Sequence, residues 1–125
     1  MMNRFLAISL GAIAGANARY WLGSWLDRAA PTGLPMGTFV VNVTGSLLLG
    51  FFVVLSTERL AVSPEWRLSI AVGFLGSYTT FSTFSVETWR LAADGSWALA
   101  LLNALITVMA GFAGAWLGGH FARIL

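Results

Sequence analysis

Apolar residues dominate four long stretches of the chain, and three short polar connections separate them. The stretches cover roughly residues 5–26, 36–55, 67–91 and 97–119. Each is close to the ~20 residues that an α-helix needs to cross the ~30 Å hydrocarbon core of a membrane. Tryptophans lie near several proposed ends, as is typical of membrane–water interfaces: Trp25, Trp66, Trp89 and Trp97. The pattern predicts an all-α integral membrane protein with four transmembrane helices, formed by residues 1–125 as a single domain.

The composition supports this prediction and excludes other classes of protein. Hydrophobic residues make up 58% of the chain and charged residues 10%, with a mean hydropathy of +0.79, whereas soluble domains carry roughly 25% charged residues. There is no cysteine, and the single histidine, His120, has no second ligand at metal spacing and lies at the end of the last helix, where no Ser-His-Asp set can be assembled around it. All seven basic residues are arginines and are scattered singly, unlike a nucleic-acid-binding patch. We therefore expect no enzymatic activity and no nucleic-acid partner.

The first stretch begins like a signal peptide, with Arg4 before an apolar run. Its apolar character continues to Leu26, beyond the about 7–15 residues of a secretory apolar core, which predicts a retained helix. Four spans place both termini on one side, together with four of the arginines, against two or three on the other. Because arginine and lysine in short loops set orientation, this weak bias is compatible with insertion in both directions.

Small residues recur at four-residue spacing in the first and fourth stretches. They are Gly11, Gly15 and Gly23 in the first, in line with Arg19, and Gly111, Gly114, Ala115, Gly118 and Gly119 in the fourth. Such seams permit close approach of membrane helices. They predict contact with a second copy in a homodimer; packing within one chain is the alternative.

The centre of the third stretch differs from an ordinary membrane helix. It contains two glycines and a dense run of serines and threonines between Gly73 and Thr88. Both weaken a helix, Gly through backbone entropy and Ser/Thr by competing for backbone hydrogen bonds. We predict a break between Gly76 and Thr80, facing protein or water, with freed carbonyls. Carbonyls and hydroxyls without a carboxylate suit Na⁺. A continuous Ser/Thr-rich packing helix is the alternative.

Polar side chains in the other stretches also need partners. An arginine such as Arg19 costs about 2.5–3.5 kcal/mol at mid-membrane. It either attracts anions to a vestibule, or it has a structural role, snorkelling to the interface or capping helix carbonyls. Thr38, Asn42, Gly45 and Ser46 share one face of the second helix, where Asn42 is either a pore donor or an interhelical bond. Asn103, Thr107 and Gly111 are four residues apart and form a stripe on the fourth helix, which could continue a track of polar groups through the membrane.

Two phenylalanines follow the predicted break. Phe81 and Phe84 are three residues apart and therefore share a helix face. The edge of an aromatic ring carries positive partial charge, so two edges directed at a pore would stabilise a small anion. Ordinary core packing is the commoner role for such a pair.

Three motifs together resemble the Fluc, or CrcB, family of fluoride channels. They are GAIAGANARY at 11–20, GTFVVNVTGS at 37–46, and GSYTTFSTFS at 76–85 followed by Glu87. Chain length, four spans and weak charge bias agree, so the resemblance covers nearly the whole chain. Gly111 departs from the family pattern because it supplies no hydroxyl to the fourth-helix track.

The resemblance implies an antiparallel, dual-topology homodimer in the cytoplasmic membrane that exports fluoride passively. On this basis the pore residues are Thr38, Asn42, Phe81, Ser82, Thr83, Phe84, Asn103 and Thr107, with Arg19 beside an aqueous vestibule. The carbonyls of Gly76 and Thr79 would hold a structural Na⁺ at the dimer centre.

Two other functions compete with this interpretation. A small multidrug exporter is also a four-helix dual-topology dimer, but proton coupling needs a carboxylate deep in a helix, usually the first, which here has Arg19 instead. A structural subunit without transport activity would show no anion flux in liposomes.

Overall fold

The computed structural model describes residues 3–125 and contains only helices and their connections in that range. Five helices follow one another: α1 (Arg4–Ala29), α2 (Met36–Val54, continued by a π-helical turn at Leu55–Arg59), α3 (Pro64–Arg67, a π-helical stretch at Leu68–Leu75 and a last turn at Gly76–Tyr78), α4 (Phe81–Ala93) and α5 (Trp97–Ile124). The third apolar stretch therefore forms α3 and α4 together.

Local sequence explains where these helices begin and end. The Asn3 side chain accepts a hydrogen bond from the N–H of Phe5 at α1, and Ser63 caps α3, which has Pro64 in its first turn. Gly33 and Gly95 adopt positive φ values of 81° and 82° in the loops before α2 and α5. Such values favour glycine, which has no Cβ. The two glycines therefore allow each loop to turn sharply, so that the next helix runs back along the bundle.

The small-residue seams are used inside the chain. A Cβ at Gly11 or Gly15 would overlap the backbone of α3. Likewise, a Cβ at Gly50 would overlap the backbone of α5, and one at Gly118 would overlap the backbone of α2. The most extensive helix pairs are accordingly α2 with α5 and α1 with α3. Gly11, Gly15 and Gly118 therefore pack within the chain, which was the alternative to contact with a second copy, whereas Gly23 and Gly111 have no such close backbone contact. The homodimer stays a prediction.

Two helices within the described residues are long and apolar enough to cross a membrane by length and composition, Met36–Arg59 and Trp97–Ile124. Only 11% and 22% of their most apolar windows are buried inside the chain. Apolar side chains therefore face outward, which a lipid environment accommodates and water does not. These two spans support a helical membrane protein, whereas α1 and the broken α3–α4 stretch do not pass the same test.

Charged side chains connect the helices at the two ends of the bundle. At one end Arg123 pairs with Glu58 at 3.2 Å, and Arg59 donates to the carbonyl of Arg123. At the other end the Asp27 carboxylate accepts the N–H of Gly37 at 2.7 Å and so joins α1 to the start of α2. The middle of the bundle lies between these ends and contains the interrupted stretch.

Candidate functional site

The predicted interruption is present at Thr79 and Thr80. Thr79 has φ/ψ of −81°/156° and Thr80 −150°/116°, both extended, between the last turn of α3 and Phe81. The break is narrower than expected because Gly76 remains helical, at −66°/−32°. The Thr80 hydroxyl accepts the N–H of Thr83 at 3.2 Å and thereby caps α4.

Asn42 on α2 binds the backbone of the break with both ends of its amide. Its Oδ1 accepts the Thr80 N–H at 2.8 Å, and its Nδ2 donates to the Thr80 carbonyl at 3.0 Å. In a continuous helix the Thr80 N–H would bond the Gly76 carbonyl. Asn42 therefore diverts that donor, releases the Gly76 carbonyl, and retains a second Nδ2 hydrogen of its own.

A groove of about 310 Å³ lies between α2, α4 and α5 and ends at the break. Each of these elements contributes residues to its wall, and none of them is charged: Asn42, Ser46, Thr79, Thr80, Phe81, Phe84, Thr107, Val108, Gly111 and Phe112. The groove thus combines an amide, hydroxyls and aromatic rings without a carboxylate.

The two phenylalanines of the groove have different surroundings. Their ring centroids are 5.7 Å apart with planes tilted by 50°. Phe84 is 9% exposed, whereas Phe81 is 78% exposed, as is the neighbouring Phe112 at 76%. The groove is therefore walled by the chain on the Phe84 side and open to its surroundings on the Phe81 side.

Thr107 provides an unpaired hydroxyl on the α5 wall. The residue is 7% exposed, and its Oγ1 has no hydrogen-bond partner among the described residues. A buried hydroxyl without a partner is costly, which favours a ligand or water in the groove.

A second cavity, here called the polar pocket, lies on the other side of the break. It has a volume of about 150 Å³, and most of the residues that line it, from α1, α2 and α4, are polar or charged, among them Arg19, Ser24, Asp27, Thr38, Thr83 and Glu87. Thr38 donates to Glu87 at 3.0 Å. Thr80 lines both cavities, so the break separates them.

Arg19 makes the carbonyl-capping contact that its sequence position left as one of the alternatives, while its role in attracting anions stays a prediction. Its Nε donates to the carbonyl of Ser77 at 3.1 Å, which caps the last turn of α3. It also lines the polar pocket and is half-buried there.

The sequence-predicted site residues divide into three groups. Asn42, Phe81, Phe84 and Thr107 meet in the groove, together with Thr79. Thr38, Thr83 and Arg19 lie in the polar pocket.

The remaining predicted pore residues line neither cavity. Asn103 is 1% exposed and donates to the Thr88 hydroxyl at 2.8 Å, which joins α5 to α4. Ser82 is exposed, with its hydroxyl 3.5 Å from that of Thr80.

Sequence reasoning missed the position of Thr80 between the two cavities. The available signal was the hydroxyl of Thr80, three positions before Thr83, because the side chain of a helix N-cap accepts the backbone N–H of the residue two or three positions later. Val108 and Phe112 on the groove wall carried no signal, because apolar residues on a membrane helix are ordinary.

Comparisons with known proteins point to one family. The family model described as "CrcB-like protein, Camphor Resistance (CrcB)" matches residues 6–119. A protein of Solibacter usitatus named "Fluoride-specific ion channel FluC" is 43% identical over 96% of this chain and 98% of its own length. One of Roseiflexus sp. with the same name is 46% identical over 96% and 97%. A third, from Methylococcus capsulatus, is 46% identical over 95% of this chain, which spans about half (52%) of that relative.

Proposed function

The chain belongs to the CrcB-like protein family, and from that premise we propose that it is a fluoride-selective ion channel. It lets fluoride leave the cytoplasm passively. The observation that carries the proposal is the uncharged groove at the broken helix, where Asn42, Thr107, Phe81 and Phe84 meet. Fluoride is small and accepts hydrogen bonds strongly, so N–H, O–H and ring-edge donors suit it without a fixed cation.

The two cavities give the channel a route. Arg19 and the hydroxyls of Thr38 and Thr83 line the polar pocket together with the carboxylates of Asp27 and Glu87, and the Arg19 guanidinium is the positive group there that attracts the anion. Thr80 and the amide of Asn42 form the boundary with the groove. Beyond it, the rings of Phe81 and Phe84 and the free Thr107 hydroxyl receive the dehydrated ion. Weak donors in series bind the ion without trapping it, as conduction requires.

The acidic groups on the proposed route, Asp27 and Glu87, lie in the polar pocket and not in the groove, which supports passive transport through the groove. The residues that line the groove include no carboxylate, so no acidic side chain there can bind and release a proton as the ion passes. Glu87 lies in the polar pocket and accepts a hydrogen bond from Thr38. This arrangement does not favour a proton-coupled exporter.

We infer that the channel is an antiparallel homodimer of four-span subunits in the cytoplasmic membrane. One chain leaves the groove open beside Phe81 and Phe112, which are 78% and 76% exposed. An ion in such an opening would meet lipid, so a second copy is needed to enclose it. The weak arginine bias between the two ends supports opposite insertion of the copies.

We also propose that the backbone of the break holds a structural Na⁺. The Gly76 carbonyl has lost its helical donor to Asn42, and the Thr79 carbonyl belongs to an extended residue. Carbonyl oxygens released at a broken membrane helix are suitable Na⁺ ligands, and the ion would hold the break open. Replacing Na⁺ on both sides of the membrane should lower assembly or activity; a flux that scales with a Na⁺ gradient would indicate cotransport instead.

The decisive experiment is efflux from proteoliposomes. Vesicles containing the purified protein are loaded with potassium fluoride or potassium chloride, and valinomycin is added while an ion-selective electrode follows release. We expect rapid fluoride efflux without a proton gradient and chloride efflux at the rate of protein-free vesicles. Equal rates for both anions, or no release of either, would contradict the proposed function.

A further inference from the structure

The polar stripe of α5 has a gap where it crosses the groove. Asn103 and Thr107 carry polar side chains at four-residue spacing, and the next position is Gly111, which has none. Gly111 nevertheless lines the groove. The wall of α5 alone therefore offers the ion a single hydroxyl there, that of Thr107.

Ser46 on α2 faces this gap. A Cβ placed on Gly111 would lie 3.6 Å from Ser46 Oγ, and no closer atom surrounds it. Ser46 lines the same groove. The absence of a side chain at Gly111 thus leaves space that the Ser46 hydroxyl adjoins from the neighbouring helix.

The Ser46 hydroxyl is free to bind a ligand. Hydroxyls on membrane helices commonly bond a carbonyl of their own preceding turn, as Thr44 does to Val40 at 2.7 Å and Thr57 to Val53 at 2.7 Å. Within residues 3–125, Ser46 Oγ makes no such bond, and neither does Thr107 Oγ1. Two unpaired hydroxyls from two helices therefore face one groove.

We propose that Ser46 is an ion-binding residue of the channel and supplies from α2 the hydroxyl that Gly111 does not supply from α5. This assignment rests on the proposed function. Fluoride accepts the Ser46 O–H on one wall and the Thr107 O–H on the other as it moves beyond the phenylalanines. The hydroxyl track thus crosses from α5 to α2 instead of following α5.

The test exchanges the hydroxyl between the two helices. Ser46→Ala should slow fluoride efflux from proteoliposomes by roughly tenfold, the effect of losing one hydrogen bond to a charged ligand. Adding Gly111→Ser to that variant should restore most of the rate, because its hydroxyl would enter the same space. Thr57→Ala is the matched control, since it removes an exposed α2 hydroxyl outside the groove, and it should keep the wild-type rate.

Other outcomes would overturn the assignment. Wild-type efflux in Ser46→Ala, or a double variant no faster than the single one, removes Ser46 from the pathway while the proposed function stands. A wild-type protein that releases no fluoride overturns the proposed function and this assignment with it. Should Ser46→Ala fail to fold, as judged by gel filtration, Ser46→Cys keeps the side-chain size and weakens the donor. It should slow efflux in the same way.

Discussion

At the scale of single residues, the two phenylalanines of the groove make separable contributions. Phe81 is 78% exposed, so its removal leaves no cavity inside the chain, whereas Phe84 is 9% exposed and packs in the interior. Both rings line the same groove and lie 5.7 Å apart. Their effects on transport and on stability should therefore differ.

We expect Phe81→Ile to abolish fluoride efflux with little change in the unfolding midpoint, because the ring edge is lost from the groove while the exposed side chain leaves no cavity inside the chain. Phe84→Ile should also reduce efflux and, in addition, lower stability by about 1–3 kcal/mol. Electrode assays and thermal unfolding in detergent measure the two quantities. Phe121→Ile, which changes a 48% exposed ring outside the groove, is the control. Wild-type efflux in Phe81→Ile would remove that ring from the mechanism.

Asn42 combines two roles that its residue type left as alternatives. Its amide makes an interhelical contact to Thr80, at 2.8 and 3.0 Å, and it lines the groove as well. The partner is a backbone 38 positions away rather than another side chain. An interhelical bond and a donor in the pathway are therefore compatible, since the amide carries a second N–H.

At the scale of helices, α2 and α5 approach each other closely and form the most extensive helix pair. Gly118 allows this approach, since a Cβ there would overlap the Leu47 carbonyl oxygen and lie 2.8 Å from the Phe51 nitrogen. Backbone atoms cannot move aside as a flexible side chain can. Enlarging Gly118 must consequently separate the helices.

Gly118→Ala should destabilise the protein by about 1–3 kcal/mol, the usual cost of overpacking a well-packed contact. Gly23→Ala, the same change on α1, should leave stability unchanged or slightly higher, because the nearest outside atom to its Cβ would be 3.9 Å away and alanine is the better helix former. Thermal unfolding of the two variants side by side checks this. Equal unfolding midpoints would show that the α2–α5 contact tolerates a larger side chain at Gly118 without loss of stability, which would contradict the prediction.

At the scale of the whole molecule, the proposed dual topology makes a prediction about labelling. The chain has no cysteine, so Thr32→Cys and Ala61→Cys each place one thiol in an exposed connection, before α2 and before α3 respectively. An impermeant maleimide applied to intact cells should label about half of each population if the copies insert in both directions. Complete labelling of one site and none of the other would establish a single orientation.

Several features of the molecule follow from local sequence alone. The lengths of the apolar stretches predicted the helices, and the Gly, Ser and Thr run around Thr79 predicted the break, because both effects act over one or two helical turns. The family resemblance predicted that Asn42, Phe81, Phe84 and Thr107 are pore residues, and all four line the groove.

The tertiary structure decided what those residues touch. The Gly11 and Gly118 seams pack inside the chain, Thr38 lies with Glu87 across the break from the groove, and Ser46 faces the gap at Gly111. These neighbours are far apart in sequence, and their meeting depends on how each helix is rotated and how closely it crosses the next. Local composition does not carry that information, because the rotation is set by which glycine faces permit backbone contact between helices.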